Sequence, residues 1–91
     1  MFFTVICQDK PGALEIRIAT REAHLGYIKA TGVVSQAGPF LDAQGNMCGS
    51  LVVLNVDDIA AANEWAENDP YAKAGLFESV EIRPWKRVIG N

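Results

Sequence analysis

The sequence is poor in positive charge. Eight Lys and Arg residues stand against eleven Asp and Glu residues, so the formal net charge is −3 at pH 7. Proteins hold the phosphates of nucleic acids through clustered cations, so we expect no nucleic acid among the partners of this chain. Long apolar runs are also missing. None approaches the roughly 20 residues that a bilayer-spanning helix needs, so we expect no membrane partner either.

Cysteine and histidine are scarce as well. Cys7 and Cys48 are too few for the disulfide framework of a small secreted domain. The opening segment, MFFTVICQDK, lacks the basic stretch and the cleavage site of a secretory signal. We therefore expect a cytoplasmic location with both thiols reduced. One histidine and two distant cysteines do not match the ligand spacing of a zinc site, so we expect no metal.

What is present is the composition of a globular protein. The chain has 91 residues, of which 49% are hydrophobic and 21% are charged, and this predicts a single domain over residues 1–91. A domain of this size buries only about 60% of the surface that its unfolded chain exposes. Association with a second copy would therefore stabilise it considerably.

The hydrophobic pattern predicts a strand–helix–strand–strand–helix–strand order, which is the ferredoxin-like βαββαβ arrangement. This is an α+β fold with an antiparallel four-stranded sheet and both helices on one face. Pro84 cannot donate a ladder hydrogen bond, so the last strand is expected at a sheet edge. The predicted elements cover residues 2–8, 13–31, 33–40, 48–56, 58–68 and 80–85, with a hairpin loop at 42–46 and a short helical turn at 69–75.

Each helix carries an apolar stripe that we expect to face the sheet, because apolar residues recur at helical spacing. The stripes consist of Leu14, Ile18, Leu25 and Ile28 in the first helix, and of Ile59, Ala62, Trp65 and Ala66 in the second.

Two strands are apolar on both of their faces. Residues 5–7 (Val-Ile-Cys) and residues 51–54 (Leu-Val-Val-Leu) are hydrophobic at successive positions, whereas a half-exposed strand alternates. Two helices cover only one face of a sheet, and the most direct cover for the other face is a second copy of the chain. We therefore predict a homodimer with a closed, barrel-like core.

The one histidine, His24, lies in the middle of the first predicted helix, on a seam with Arg17, Arg21 and Ile28. Arg21 falls close to the centre of the apolar stripe and His24 at its border. In a structural interpretation, Arg21 extends its charge to a neighbouring carboxylate and His24 is a hydrogen-bonded border residue. In a functional interpretation, His24 is a general acid or base beside a cationic anchor for an anionic substrate.

Asp69 also allows two interpretations. An aspartate before a proline is typical of a helix N-cap, with Pro70 at the first helical position. Alternatively, Asp69 accepts a hydrogen bond from one imidazole nitrogen, which fixes the tautomer and leaves the other nitrogen as a base. A carboxylate can serve both purposes.

Three further residues carry groups of interest. Ser50 opens the third strand, where serine is usually without special function, but its hydroxyl binds a substrate oxygen if it faces the same cavity as His24. Tyr71 is expected to serve mainly in packing. Cys7 lies in an apolar strand, so we expect an inert core thiol rather than a nucleophile.

Several motifs combine in a way that is unusual as a set. They are the helix string Arg17, Arg21 and His24-Leu25, then Gly32, Gly38-Pro39, Gly49-Ser50, Asp69-Pro70-Tyr71, Ala74-Gly75-Leu76 and Ile82-Arg83-Pro84-Trp85. In these motifs the chain resembles the YciI-like (YCII-related) proteins, from its first strand to Lys86. The resemblance implies a ferredoxin-like dimer related to the dimeric α/β-barrel proteins and a site centred on His24 and Asp69.

The resemblance also implies a type of chemistry. One branch of the family eliminates chloride from chlorinated hydroxyhydroquinones during aromatic degradation, and related barrels include muconolactone isomerases. The resulting hypothesis is a cofactor-independent acid–base enzyme for a small phenolic or anionic substrate, with a dehydrochlorinase as its most specific form. The alternatives are a non-catalytic small-molecule-binding module and a muconolactone-type isomerase. The assigned residues are His24 and Asp69 for catalysis, and Arg17, Arg21, Ser50 and Tyr71 for substrate binding.

Overall fold

An antiparallel sheet with helices packed on one face forms the framework of the protein. The computed structural model describes residues 1–90, which contain four strands in the order β2-β3-β1-β4 and three helices. The elements are β1 (Phe2–Asp9), α1 (Leu14–Thr31), β2 (Val34–Leu41), β3 (Met47–Asn55), α2 (Ile59–Asn68), α3 (Pro70–Lys73) and β4 (Phe77–Trp85). This order confirms the predicted ferredoxin-like fold.

The helix ends follow from local chemistry. The side chain of Asp58 accepts a hydrogen bond from the backbone N–H of Ala61 at the start of α2, because the first turn of a helix leaves its N–H groups unpaired. The helix α1 ends at Thr31. The next residue, Gly32, adopts a left-handed conformation with φ of 67°, which glycine tolerates without strain. The strand that carries Pro84, β4, pairs only with β1 among the described strands and lies at the edge of the sheet, as predicted.

The core lies between the sheet and α2. In β1, Phe3 and Val5 are buried, and opposite them in β3 lie Leu54 and Val52. Burying apolar side chains on this face is the main stabilising contribution to the fold. From α2 the core receives Ala62, Trp65 and Ala66, as predicted, but Ile59 is 44% exposed, so its predicted burial is wrong. Ile59 is the first residue of α2 and lies beside the exposed edge strand.

The predicted orientation of α1 is wrong for two of the four residues of its apolar stripe, whereas Leu14 and Ile28 are partly buried. Ile18 and Leu25 are 59% and 51% exposed, whereas Arg17 and His24 face the sheet and are buried. Arg21, which was expected near the centre of the apolar stripe, is exposed. Polar groups can be buried where partners satisfy them, and here the partners lie on other elements that the pattern of α1 does not reveal.

The second face of the sheet carries apolar side chains, as the sequence predicts, together with polar ones such as Thr4, Glu81 and Arg83. Phe2, Ile6 and Leu51 are partly buried on this face, and Phe40 and Trp85 are 41% and 37% exposed. Near one end, the guanidinium of Arg87 lies 4.6 Å from the centre of the Phe2 ring. None of the helices within residues 1–90 has the length and hydropathy of a membrane span.

Gly49 allows a close approach between β1 and β3. A Cβ atom at this position would overlap the backbone oxygen of Cys7, which cannot move without disturbing the sheet. We expect Gly49→Ala to lower the free energy of unfolding by about 1–3 kcal/mol, as overpacking does. The matched control is Gly38→Ala in β2, where a Cβ meets nothing within 4 Å. Urea denaturation measures both, and equal stability of the two variants would contradict this account.

Candidate active site

A cavity of about 160 Å³ lies between α1, the sheet and α3. A cavity of about 150 Å³ is enough for a benzene ring, so this one has room for a single six-membered ring. Its wall is partly apolar, with Ile28, Pro39, Met47 and Val52 among the residues that contribute. The polar part of the wall consists of Arg17, Arg21, His24, Ser50 and Tyr71. Five of the six residues assigned from the sequence therefore line one cavity, and the sixth, Asp69, reaches it through His24.

His24 and Asp69 form a buried pair. His24 Nδ1 lies 2.7 Å from Asp69 Oδ1, and the two residues are 6% and 3% exposed. Because an ionised carboxylate only accepts hydrogen bonds, Nδ1 must carry a proton in this pair. The neutral ring then has its lone pair on Nε2, the nitrogen that a general base uses.

Asp69 also starts α3. Its Oδ1 accepts a hydrogen bond from the backbone N–H of Tyr71 at 3.0 Å, so Asp69 is the N-cap of the helix as well as the partner of His24. Both predicted contacts are therefore present, and both use the same oxygen. The short α3 helix places Tyr71 directly behind the imidazole.

Tyr71 connects the two buried side chains of α1, Arg17 and His24, that face the sheet. Its ring is stacked on the imidazole of His24, with 4.0 Å between centres and 18° between planes, and the guanidinium of Arg17 lies 4.7 Å from its centre. Burial raises the pKa of the Tyr71 hydroxyl and outweighs the opposing effect of Arg17 and Arg21. Tyr71 is therefore a neutral phenol at physiological pH.

Arg17 is held by a partner that the sequence analysis missed. Its Nε and Nη2 donate to the two carboxylate oxygens of Asp9, at 2.7 and 2.8 Å, and Nη2 also donates to Ser50 Oγ at 2.8 Å. Burial opposes the charged form, but the hydrogen bond and the charge of Asp9 outweigh it, and the pKa of Arg17 is raised. The signal was available: Asp9 is a carboxylate at the end of a strand, just before the Pro11-Gly12 turn.

Arg21 differs from Arg17 in its exposure. It contributes to the wall of the cavity, but it is an exposed residue. Its guanidinium is therefore available to an incoming anion, whereas that of Arg17 is already paired.

Cys7 is a buried core thiol, as predicted. It is 3% exposed, and burial, followed by the negative charge of Asp69, raises its pKa to about 12. A thiol with this pKa is not a nucleophile at neutral pH. Within residues 1–90, no three His, Cys, Asp or Glu side chains converge as metal ligands would.

Comparison with known proteins agrees with this architecture. The model of the YCII-related domain matches residues 1–86. An uncharacterised protein of Haemophilus influenzae is 35% identical, and protein YciI of Escherichia coli is 34% identical, each over 98% of this chain and 100% of its own length.

One solved structure is similar to this chain in both sequence and fold. It is the 5-chloro-2-hydroxyhydroquinone dehydrochlorinase TftG of Burkholderia phenoliruptrix AC1100 in complex with 2,5-dihydroxybenzoquinone. It is 33% identical, with a TM-score of 0.88 over 94% of each chain.

Stability at high pH tests the environment of Cys7. The pKa of the Cys7 thiol is 9.0 in the unfolded chain and about 12 in the folded protein. Its contribution to the free energy of unfolding is therefore fully present below pH 9 and is lost as the pH rises toward 12. Between pH 8 and pH 10 this thiol should lower the free energy of unfolding by about 1.4 kcal/mol. Cys7→Ala should lack this loss and the control Cys48→Ala should keep it, as measured by urea denaturation in reductant. The same pH dependence in all three proteins would disprove the assignment.

Proposed function

The chain belongs to the YCII-related family, and from that premise we propose that it is a cofactor-independent acid–base enzyme acting on a small phenolic or anionic ring. The observation that carries the proposal is the buried pair of His24 and Asp69 at a cavity with room for one ring. A general base must lie within hydrogen-bond reach of the proton that it takes, and His24, which contributes to the cavity wall, is the group that we assign to a ring hydroxyl bound there.

The similarity to TftG supports a particular reaction, the elimination of HCl from a chlorinated hydroxyhydroquinone. His24 takes a proton from one ring hydroxyl and returns it to the ring carbon that carries chlorine. His24 then takes the proton of a second hydroxyl while chloride leaves with the electron pair of the carbon–chlorine bond. The ring becomes a quinone, and the net loss is one proton and one chloride ion.

Four polar residues besides His24 have a role in this reaction. Asp69 orients His24 and stabilises the imidazolium that forms when Nε2 takes a proton, as the carboxylate of a catalytic triad does. Tyr71 holds the imidazole plane by stacking. Arg21 attracts the ionised substrate at the mouth of the cavity, and Ser50 binds a ring oxygen.

Two variants test the role of the pair. We expect His24→Ala and Asp69→Asn each to lower the rate of chloride release from a chlorinated hydroxyhydroquinone by about 10²–10⁴-fold. Asp57→Asn is the matched control for the aspartate, because Asp57 is exposed and lies outside the cavity. Undiminished turnover by His24→Ala would refute the mechanism. Binding of the quinone without chloride release by the unmodified protein would favour a non-catalytic binding module.

The proposed active form is a homodimer. Phe40 and Trp85 expose aromatic surface on the sheet face that the helices leave uncovered, and Ile6 and Leu51 lie between them on the same face. Contiguous apolar patches of this kind usually mark an interface. Packing two such faces together gives each chain the additional burial that a small domain lacks.

Sedimentation velocity at micromolar concentration tests this assembly. We expect a species of twice the chain mass of 9.9 kDa. Phe40→Lys, which places a charge on the uncovered face, should shift the protein toward monomer. Ile18→Lys changes an exposed apolar residue of α1, outside the sheet face, and should leave the dimer intact. A wild-type monomer would rule the dimer out.

A further inference from the structure

We propose that Asp9 is a positioning residue which, through Arg17, makes the Ser50 hydroxyl a hydrogen-bond donor to the cavity. The site therefore selects rings with an ionised or carbonyl oxygen at that position. The inference rests on the proposed function, since it specifies the substrate class of the same cavity. It is carried by a chain of three hydrogen bonds that ends at the cavity wall.

The first step is the fixed orientation of the guanidinium. Asp9 binds Nε and Nη2 of Arg17 with both of its oxygens, a two-point contact that fixes the plane of the group. The side chains of both residues are almost completely buried, at 3% and 6% exposure. Arg17 therefore has little freedom to turn toward a ligand.

The second step concerns the Nη2 hydrogens. This nitrogen has two, of which one is donated to Asp9 Oδ1 and the other to Ser50 Oγ. Because a guanidinium has no acceptor, Ser50 must be the acceptor of this bond. The hydroxyl proton of Ser50 is repelled by the cation and points away from Arg17.

The third step concerns the direction in which the hydroxyl proton of Ser50 points. Ser50 is 4% exposed and contributes to the wall of the cavity, and Arg17 Nη2 is the hydrogen-bond partner of its Oγ among residues 1–90. A hydroxyl that accepts from a cation is a stronger donor, because hydrogen bonds in a chain polarise one another. The complementary ligand group is an acceptor, a phenolate or quinone oxygen, rather than a neutral hydroxyl.

In this arrangement the two arginines, Arg17 and Arg21, have different roles. The charge of Arg17 is balanced by Asp9, so Arg17 acts through Ser50 rather than by the direct substrate binding that was assigned to it from the sequence. Arg21 is exposed at the same cavity and remains available for the negative charge of the ligand.

Binding of 2,5-dihydroxybenzoquinone, measured by calorimetry at pH 7, tests the proposal. This compound is a vinylogous acid whose ionised and carbonyl oxygens are all acceptors. We expect Ser50→Ala to weaken its binding about 10- to 100-fold, the range for a hydrogen bond to a charged group. Hydroquinone, which offers neutral hydroxyls, should lose less than about threefold, because it gains less from a polarised donor. The matched control Ser79→Ala removes an exposed hydroxyl of β4 and should bind both compounds as the unmodified protein does.

A double-mutant cycle separates positioning from a general structural role. Asp9→Asn should weaken quinone binding in the protein that retains Ser50. In the Ser50→Ala background its effect should be less than about twofold, since coupled residues are non-additive. Additive effects would overturn the role of Asp9. If Asp9→Asn does not fold, as circular dichroism will show, Arg17→Lys takes its place, because an ammonium cannot hold the two-point contact and Ser50 together.

These experiments distinguish a failure of this inference from a failure of the proposed function. Unchanged quinone binding by Ser50→Ala overturns this inference even if the protein releases chloride. A large loss of quinone binding in Ser50→Ala supports it even if no chloride is released, in which case only the proposed reaction fails.

Discussion

The structure depends on burying the polar side of α1 against the sheet. Arg17 and His24 would each destabilise the fold if they were buried alone, because an unpaired charge or ring N–H in the interior loses its hydration. Asp9 and Asp69 supply the missing partners from a strand end and a helix junction. Every fully buried side-chain nitrogen and oxygen within residues 1–90 accordingly has a hydrogen-bond partner. The polar contacts that Arg17 and His24 make with other elements therefore also build the candidate site.

Tyr71 joins the two halves of this arrangement. Its ring lies against both the imidazole and the guanidinium, so the positions of His24 and Arg17 depend on one buried aromatic side chain. The apolar wall of the cavity strengthens the electrostatic contacts within it, since the local dielectric constant is low. A ring bound there would meet a base and a donor whose directions are already fixed, which is the condition for efficient general catalysis.

The sequence predicted the features that local chemistry determines. The element order, the edge position of the strand with Pro84 and the cap at Asp69 all follow from residues close to one another in the chain. The face of α1 could not be predicted in this way, because it depends on whether Arg17 and His24 find partners on other elements. Asp9 was visible in the sequence as a carboxylate at a strand end, but its pairing with Arg17 appears only when β1 and α1 are placed side by side.

The junction between α2 and α3 limits how this chain can vary in length. Asp69 is the one residue between Asn68 and Pro70, and a single oxygen of its side chain contacts both His24 and the first turn of α3. An insertion or deletion there would move the carboxylate by about 3.8 Å, the spacing of successive Cα atoms, and break both contacts. The exposed hairpin at residues 42–46 contributes no residue to the wall of the cavity. Natural length variation in this fold should therefore accumulate at the hairpin and avoid the junction.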